Sequence, residues 1–516
     1  MAITVGIDLG TTNSVMSYWH RGRANTITID GMNTFPSVLS FKNENIIAGY
    51  QAKSRMLMDP ANTIGSTKRD IGTDTKYRIG GQTITPITVA TEVLKAMKQK
   101  VEEQFKDRIE DAVITVPAYF TSEQREATLQ AARNASLNVL RLVPEPTAAA
   151  IAYGLNENKN QTIMVYDLGG GTFDVSILKV TGNNFDVIAV DGDARLGGDD
   201  FDAAIAKLLY KKVREETGVD LNLNKEREYM AARQKVRESA EKAKIELSEK
   251  DIVEIILPNL FEDYYLEYEL SRKEYLKLIQ PLLDKTISKM KNVLKQAKLT
   301  ADDIDRVILV GGSTKAPIIK ELVKREIREP YIAPNVDEVV SNGAAILAVT
   351  LGTPDVNMGY DNLPDIVIKE KVVHSYGIDM LDSNDKLYYN IIVPRGSVLP
   401  AKSGILGFTS KPYQRDVYMN IFRGESTVLS ENEKLGGLSL PIDNPEKGQT
   451  PVGAIFEIDE NMIIKFRSVD LNRTSLKDEI IGFAYDNAGL LDLDSVENLI
   501  RKNQVTYREV KVDASK

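Results

Sequence analysis

Short apolar runs rich in β-branched residues recur through the first two thirds of the chain, each ending in a glycine or proline turn: ITVGIDLGTT, AVITVPAYF, IMVYDLGGGT and RVILVGGSTK. Runs of this length bounded by turn residues predict strands. Helical periodicity follows the second and the fourth, in SEQREATLQAARNASL and APIIKELVKREI. The first and third runs share the order strand, Asp, Leu, Gly, Thr, whereas the second and fourth share strand, turn, amphipathic helix. That pairing predicts a duplicated α/β unit. Two such halves facing each other place both Asp-Leu-Gly turns at the floor of one cleft, where open α/β sheets hold ligands. Between the third and fourth runs, LNKEREYMAARQKVRESAEKAKIELSEK lacks Gly and Pro and is rich in good helix formers, so a helix pair or a single bent helix is expected.

Around residue 350 the texture changes, because TLGTPDVNMGYDNLP is the kind of Gly, Pro and Asn stretch that ends a domain. Beyond it, IIVPRGSVLP, DVYMNIFRGES and IFEIDENMIIKFRSVDL read as strands of a small β-sandwich. One helix, DLDSVENLIRKN, and a short β-like tail, QVTYREVKVD, complete the pattern. A chain of 516 residues exceeds what one hydrophobic core fills. The expected division is a domain over residues 1–360, a linker over 361–370, a β-sandwich over 371–490 and a short helical tail over 491–516.

Composition narrows the chemistry. With no cysteine and only His20 and His374, thiolate metal sites, disulfides, cysteine nucleophiles and histidine-rich metal centres are all excluded. The net charge of −9 comes without a basic block, so nucleic acid is not an expected partner. No uninterrupted apolar stretch reaches the roughly 18 residues a spanning helix needs, and the N-terminus carries no signal-like segment. No membrane partner and a cytoplasmic location are the expectation.

In GIDLGTTNS the glycine after the strand allows a tight turn whose N–H groups face an anion, and Thr11 and Thr12 add hydroxyl donors. The second copy, DLGGGTFD, brackets three glycines with two carboxylates, an arrangement suited to a phosphate with Mg²⁺ beside it. Asp8, Asp167 and Asp174 are the candidate metal residues, acting mainly through the hydration shell of the ion. Either turn alone is equally well an ordinary hairpin; the two together favour a nucleotide. VGGSTKAP at 310–317 adds glycines at a strand end before a helix, a further place for an anion or polar ligand. Glu241, Lys244 and Ser248 are spaced to share one helix face toward a ribose or base, although the same spacing describes a solvated face.

Taken together, GIDLGTTNS, AVITVPAYF, EPTAAAIAYG, YDLGGGTFDVS, LGGDDFD and ILVGGSTKAP resemble the Hsp70 chaperones, the bacterial type most of all. The resemblance implies an α/β actin-like, ribonuclease H-like duplicated ATPase domain followed by a small all-β peptide-binding sandwich. It implies an ATPase using ATP/ADP and Mg²⁺, with K⁺ as a further possible ion, and a chaperone acting on extended apolar segments of unfolded proteins. Under it Lys68, Glu145, Thr172 and Asp174 are catalytic, while Gly10, Thr11, Thr12, Gly169, Gly170 and Gly171 hold phosphate. Glu241, Lys244, Ser248, Gly311, Gly312, Ser313, Lys315 and Asp337 belong to the nucleoside side. Pro117 and Arg125 match a relay of nucleotide state, and Arg141 matches a position that meets a J-domain cochaperone. Ile366, Val367 and Ile368 match a linker able to add as a strand to the ATPase domain. Val417 is in register with a pocket-lining valine, with Leu381, Ile391, Ile392 and Phe408 as weaker candidates, since apolar strand residues are more often core.

Three departures stand out. Lys315 occupies a place where the family usually has an arginine stacked on adenine, and a lysine stacks less well. The segment between GTDTKYRIG and AVITVPAYF is shorter than the family pattern, which trims a rim that nucleotide-exchange factors grip. The long helical lid is almost absent, so bound peptide should exchange faster. Two other readings remain open: a small-molecule kinase on the same superfold, and a peptide-binding module that uses nucleotide only structurally.

Overall fold

The punctuated runs of the N-terminal part fold into two sheets of the same design. The computed structural model describes residues 2–42, 45–154, 160–223, 227–333, 335–352, 365–443, 445–472 and 477–512. Most of the turn-rich stretch after residue 350, with the first four residues of the expected linker, lies outside the described residues. By contact density the chain divides into two units, one of residues 1–120 and 127–368, the other of residues 121–126 and 369–516.

The first sheet contains β1 (Ala2–Asp8), β2 (Asn13–His20), β3 (Arg23–Thr26), β4 (Arg108–Val116) and β5 (Asn138–Pro144). Its order is β5-β4-β1-β2-β3, with β5, β4 and β1 parallel and β2 and β3 antiparallel. Helices α1 (Ser122–Asn134) and α2 (Glu145–Gly154) follow β4 and β5. The second sheet repeats the plan with β6 (Gln161–Leu168), β7 (Phe173–Thr181), β8 (Asn184–Asp193), β11 (Arg306–Val310) and β12 (Tyr331–Ile332). The strands β9 (Ile252–Phe261) and β10 (Tyr264–Ser271) form a separate hairpin. In the second sheet β12, β11 and β6 are parallel while β7 and β8 are antiparallel, so the duplication expected from the sequence is present strand for strand. The central strands β4 and β6 bury nearly every residue in their second halves, which is why they read as continuous apolar runs rather than alternating ones.

Helices α3 (Gly198–Thr217), α4 (Arg227–Glu246), α5 (Arg272–Ala297), α6 (Pro317–Glu326) and α7 (Val339–Leu351) also belong to this unit, as do the earlier helices Tyr50–Met58 and Pro86–Phe105. The long polar stretch is therefore one helix, α4, which buries Ala232, Val236, Ala240 and Ala243 in the second half's core. Ser248 lies in the turn beyond its end rather than on the helix face with Glu241 and Lys244, as the spacing had implied. The small residues of α2 and α7 let the two helices cross at close range: a Cβ on Gly343 would stand 1.8 Å from the Ala148 carbonyl oxygen. After the undescribed stretch, β13 (Val367–Lys369) takes the open edge of the second sheet beside β8, and the Val367 N–H donates to the Asn183 carbonyl at 3.1 Å.

The C-terminal unit is a sandwich of two antiparallel four-stranded sheets. One contains β14 (Tyr376–Leu381), β15 (Leu387–Val393), β17 (Asp416–Arg423) and β18 (Glu433–Pro441), in the order β15-β14-β17-β18. The other contains β16 (Ala401–Phe408), β19 (Pro451–Ile458), β20 (Ile464–Asp470) and β21 (Thr506–Lys511), in the order β16-β19-β20-β21. Two helices, α8 (Lys477–Asp486) and α9 (Leu493–Arg501), stand between the last two strands and pack Ile480, Val496 and Leu499 on Ile455 and Val469 of the sheet. The expected tail over 491–516 falls within the same contact unit as the sandwich, its helix being α9 and its β-like run β21. Residues 506–511 pair with β20, because their alternating residues continue the antiparallel ladder. Arg467 secures this arrangement: it reaches Glu457 at 2.7 Å, Glu509 of β21 at 2.6 Å and also Glu497 of α9.

Candidate nucleotide site

Both Asp-Leu-Gly turns lie at strand ends in the cleft between the two halves, as the topology dictates. Asp8 ends β1 and accepts a hydrogen bond from Thr115 Oγ1 at 3.1 Å. Asp167 and Asp174 sit directly opposite each other in the β6–β7 ladder. The glycines of the second turn fit against the threonines of the first. A Cβ on Gly170 would stand 2.1 Å from Thr12 Oγ1, and one on Gly171 would stand 2.4 Å from Thr11 Oγ1, so no larger residue allows the two turns this approach. Among the described residues the buried Thr12 Oγ1 has no hydrogen-bond partner, and it faces this junction, as a hydroxyl poised for a phosphate oxygen does. The first turn of α3 braces the same loop, with Gly198 and Asp199 N–H groups donating to the carbonyls of Gly169 (3.0 Å) and Gly170 (2.8 Å).

Lys68 is buried on a one-turn 3₁₀ segment, Thr67–Asp70, with its ammonium 2.7 Å from Glu145 Oε1 and 5.7 Å from the centre of the Phe120 ring. Four carboxylates, Asp8, Glu145, Asp167 and Asp174, influence one another here against this single ammonium. Burial, then the charge of Glu145, pushes Asp8 and Asp174 up to about 7, with Lys68 pulling both back in part. Asp167 is raised for the same reasons, with burial foremost. Such an excess of buried negative charge fits a divalent cation. Among the described residues no three carboxylates or histidines are arranged to hold an ion directly, so the fit is to a hydrated ion, the habit of Mg²⁺. Thr172 is buried, its carbonyl accepting from the Gly169 N–H at 3.0 Å.

On the nucleoside side, Lys244 pairs with Asp202 at 2.8 Å and Ser313 Oγ donates to the Gly169 carbonyl at 2.9 Å. Lys315 is paired with Asp337 across the third loop. Asp202 is pushed up to about 6 by burial, against the pull of Lys244. The structure thus gathers Asp8, Gly10, Thr11, Thr12, Lys68, Glu145, Asp167, Gly169, Gly170, Gly171, Thr172 and Asp174 around one floor. It also shows residues that sequence reasoning had left without a role: Arg69, Asp199, Asp200 and Asp202. Only the LGGDDFD motif drew attention to three of them.

Comparison with known proteins bears on the whole chain. The sequence model described as "Hsp70 protein" matches residues 4–79 and 74–514. The chain belongs to the Hsp70 family. It is an ATP-dependent molecular chaperone, and ATP hydrolysis is its enzymatic activity. Among similar proteins, the "Chaperone protein DnaK" of Mycoplasmopsis synoviae is 38% identical over 507 residues, 97% of this chain and 81% of that protein. The "Chaperone protein DnaK" of Mycoplasma mycoides subsp. mycoides SC is 39% identical over 508 residues, 97% of this chain and 82% of its own length. The two stretches of the family match overlap at residues 74–79.

In this Hsp70, Pro117 follows β4 and its carbonyl accepts from the Phe120 N–H at 3.1 Å, while Arg125 on α1 is fully buried and Arg141 lies in β5 opposite Val113. Ile366 is buried, and Val367 and Ile368 belong to the added edge strand β13. The apolar candidates of the sandwich are not brought together. Ile378 lies opposite Ile421, and alternation along β17 puts Met419 and Val417 on that same inner face. Met380 shares it, its methyl group 3.6 Å from where a Cβ on Gly407 of the other sheet would sit. Leu381 and Ile391 lie opposite Leu387 and Gly377, on the outer face, and are 42% and 40% exposed. Leu381 faces outward by plain alternation from Ile378 and Met380, whereas Ile391 does so because Ile392 is an extra residue at the register shift opposite Tyr376 and Gly377 and reverses the side chains beyond it. Ile392 is buried core, and Phe408 ends β16 in the opposite sheet beside Pro451.

Proposed function

We propose that hydrolysis is carried by Lys68, Glu145, Thr172 and Asp174, acting on an ATP whose phosphates lie between the 8–12 and 167–172 turns. The single observation behind this is the buried Lys68–Glu145 ion pair at 2.7 Å, set among three further carboxylates where two glycine turns meet. The Lys68 ammonium is fixed before reaction and stabilises the charge of a transferring γ-phosphoryl group at little reorganisation cost. Glu145 holds that ammonium and accepts a hydrogen bond from the attacking water, and the Thr172 hydroxyl orients the same water. Asp8, Asp167 and Asp174 hold hydrated Mg²⁺, which when bound neutralises charge on the phosphate oxygens. K⁺ is a further ion proposed for this site.

Glu241, Lys244, Ser248, Gly311, Gly312, Ser313, Lys315 and Asp337 take the adenosine in this reading, with residues 1–360 as the ATPase domain. The client segment lies along the sandwich, with Val417 at its pocket beside Met380 and Met419, while Leu381, Ile391 and Phe408 stay outside it. The linker strand, Pro117 and Arg125 carry nucleotide state between the sites. Arg141 supports a J-domain cochaperone contact, and the shortened segment over 81–111 supports a modified exchange-factor contact. A cytoplasmic location accords with the described residues, none of whose helices is long and apolar enough to cross a membrane.

Lys68→Ala tests this reading. ATP turnover is expected to fall by about a hundred-fold or more, with ATP affinity held within a few fold, because the glycine turns still bind phosphate. Wild-type turnover in the variant would remove Lys68 from the chemistry and leave hydrolysis to other groups of the site.

A further inference from the structure

The turn that carries Lys68 is gripped by the opposite half of the ATPase unit, through residues with no role in the chemistry above. Consecutive residues of the Thr67–Asp70 turn point different ways, so Lys68 turns back to Glu145 of its own half while Arg69 reaches across the cleft. Its guanidinium makes a two-point contact with Asp200, Nη2 to Oδ2 at 2.5 Å and Nη1 to Oδ1 at 3.2 Å, and Nη2 also reaches the Gly170 carbonyl at 3.4 Å. Asp200 is itself fixed, accepting the Gly197 N–H at 2.8 Å in the first turn of α3. Through the Gly198 and Asp199 N–H groups that turn holds the triple-glycine loop.

Two more contacts flank the same lysine. Ser66, held in a left-handed conformation immediately before the turn, is near enough to Asp199 to favour its ionised form. On the other side Arg195 stands 3.6 Å from Asp70, whose second oxygen accepts the Tyr77 hydroxyl at 2.6 Å. The Arg195–Asp70 pair is exposed and contributes little. Arg69 and Asp200 are mostly buried, and their fork geometry sets orientation as well as distance.

We propose that Arg69 and Asp200 form a latch across the cleft that positions Lys68 over the γ-phosphate, making both of them positioning residues for ATP hydrolysis. The latch closes only when the triple-glycine loop and the lysine turn are at their reactive separation. It therefore acts on the rate of the chemical step more than on nucleotide affinity, because an ångström of misplacement is enough to slow a reaction by about a hundred-fold. The inference rests on the assignment of Lys68 to the chemistry.

Single-turnover ATP hydrolysis and equilibrium ATP affinity, measured on the full chain for wild type, Lys68→Ala, Arg69→Ala, Asp200→Asn and the exchanged pair Arg69→Asp with Asp200→Arg, decide the matter. Asp200→Asn keeps an oxygen for the Gly197 N–H, so it removes the charge without removing the cap. The latch predicts a loss of about ten- to a hundred-fold in rate for Arg69→Ala and for Asp200→Asn, affinity within about three-fold, and recovery of at least a third of the lost rate in the exchanged pair. A general structural defect gives no such recovery and lowers the unfolding temperature in step with the rate. Near-normal turnover in Arg69→Ala beside a slow Lys68→Ala overturns the latch and leaves the catalytic assignment standing. Normal turnover in Lys68→Ala removes the assignment itself.

Discussion

Asp8 and Asp174 each carry a carboxyl raised to about 7 from an ordinary value near 3.8, with burial the largest cause and the Glu145 charge the next. The folded, ligand-free protein thus keeps ionised carboxylates at a cost above pH 7, whereas the unfolded chain ionises them freely above about 4. As pH falls from 8 toward 5 these groups take up protons in the folded state first, so their contribution makes the ligand-free ATPase unit more stable at the lower pH. Cation binding runs the other way, since Mg²⁺ needs the ionised form. Binding of Mg²⁺ with ADP is predicted to release protons below pH 7 and to weaken by about ten-fold per pH unit for each proton released. Calorimetry in buffers of different ionisation enthalpy reads the proton count directly; a count of zero at pH 6.5 contradicts the account of these carboxylates. Lys315 gives a second prediction at this scale. Its ammonium is engaged by Asp337 and presents no plane for a base to stack on. Lys315→Arg should slow ADP release several-fold, and an unchanged release rate measured with a fluorescent ADP would show that the base is held elsewhere.

Elements impose the next constraint, because each glycine turn works only if the other half's turn can approach it. Gly171→Ala puts a methyl group against Thr11 and forces the turns apart, at a strain of roughly 1–3 kcal/mol. ADP affinity should fall by about ten- to a hundred-fold, with unchanged affinity counting against the two-turn cradle. In the sandwich, Arg467→Ala removes the cation that Glu457, Glu497 and Glu509 share, leaving only Lys402 beside the first two and Lys465 beside the third. A loss of about 2 kcal/mol is expected, discounted for the partial exposure of the three acids, and urea unfolding of the C-terminal unit measures it.

Much of this level was legible beforehand, and the reason is locality. The strand, turn and glycine spacings of residues 6–14 and 167–174 fit within a few residues, so their pattern announces both turn and duplication. The Lys68–Glu145 pair spans 77 residues and the Arg69–Asp200 pair 131, and no local pattern links such positions. Only family resemblance pointed to the first, and nothing pointed to the second. Helix α8 escaped notice because KDEIIGFAYD interrupts its apolar positions with Gly482, while β21 read as a β-like run whose partner, two helices earlier in the chain, no local pattern reveals. The side-chain direction of Ile391 depends on a register shift that alternation alone cannot reveal.

At the scale of the molecule, two sites on one chain make a chaperone cycle only if each ligand binds two states of the protein with different affinity. The strand β13 is the natural carrier: it extends the second ATPase sheet, beside β8, and continues directly into the sandwich unit. Val367→Asp at this edge should leave basal ATP hydrolysis nearly unchanged and abolish its stimulation by peptide, because the edge pairing is the contact most exposed to the substitution. Stimulation equal to wild type would place the coupling elsewhere. The most direct test of the whole account follows a fluorescent extended apolar peptide leaving the ADP-loaded protein, before and after addition of Mg²⁺ and ATP. Release at least ten-fold faster with ATP is the predicted result, the two sites sharing a coupling of more than about 1 kcal/mol. Release at the same rate, with both ligands still bound tightly, would contradict it.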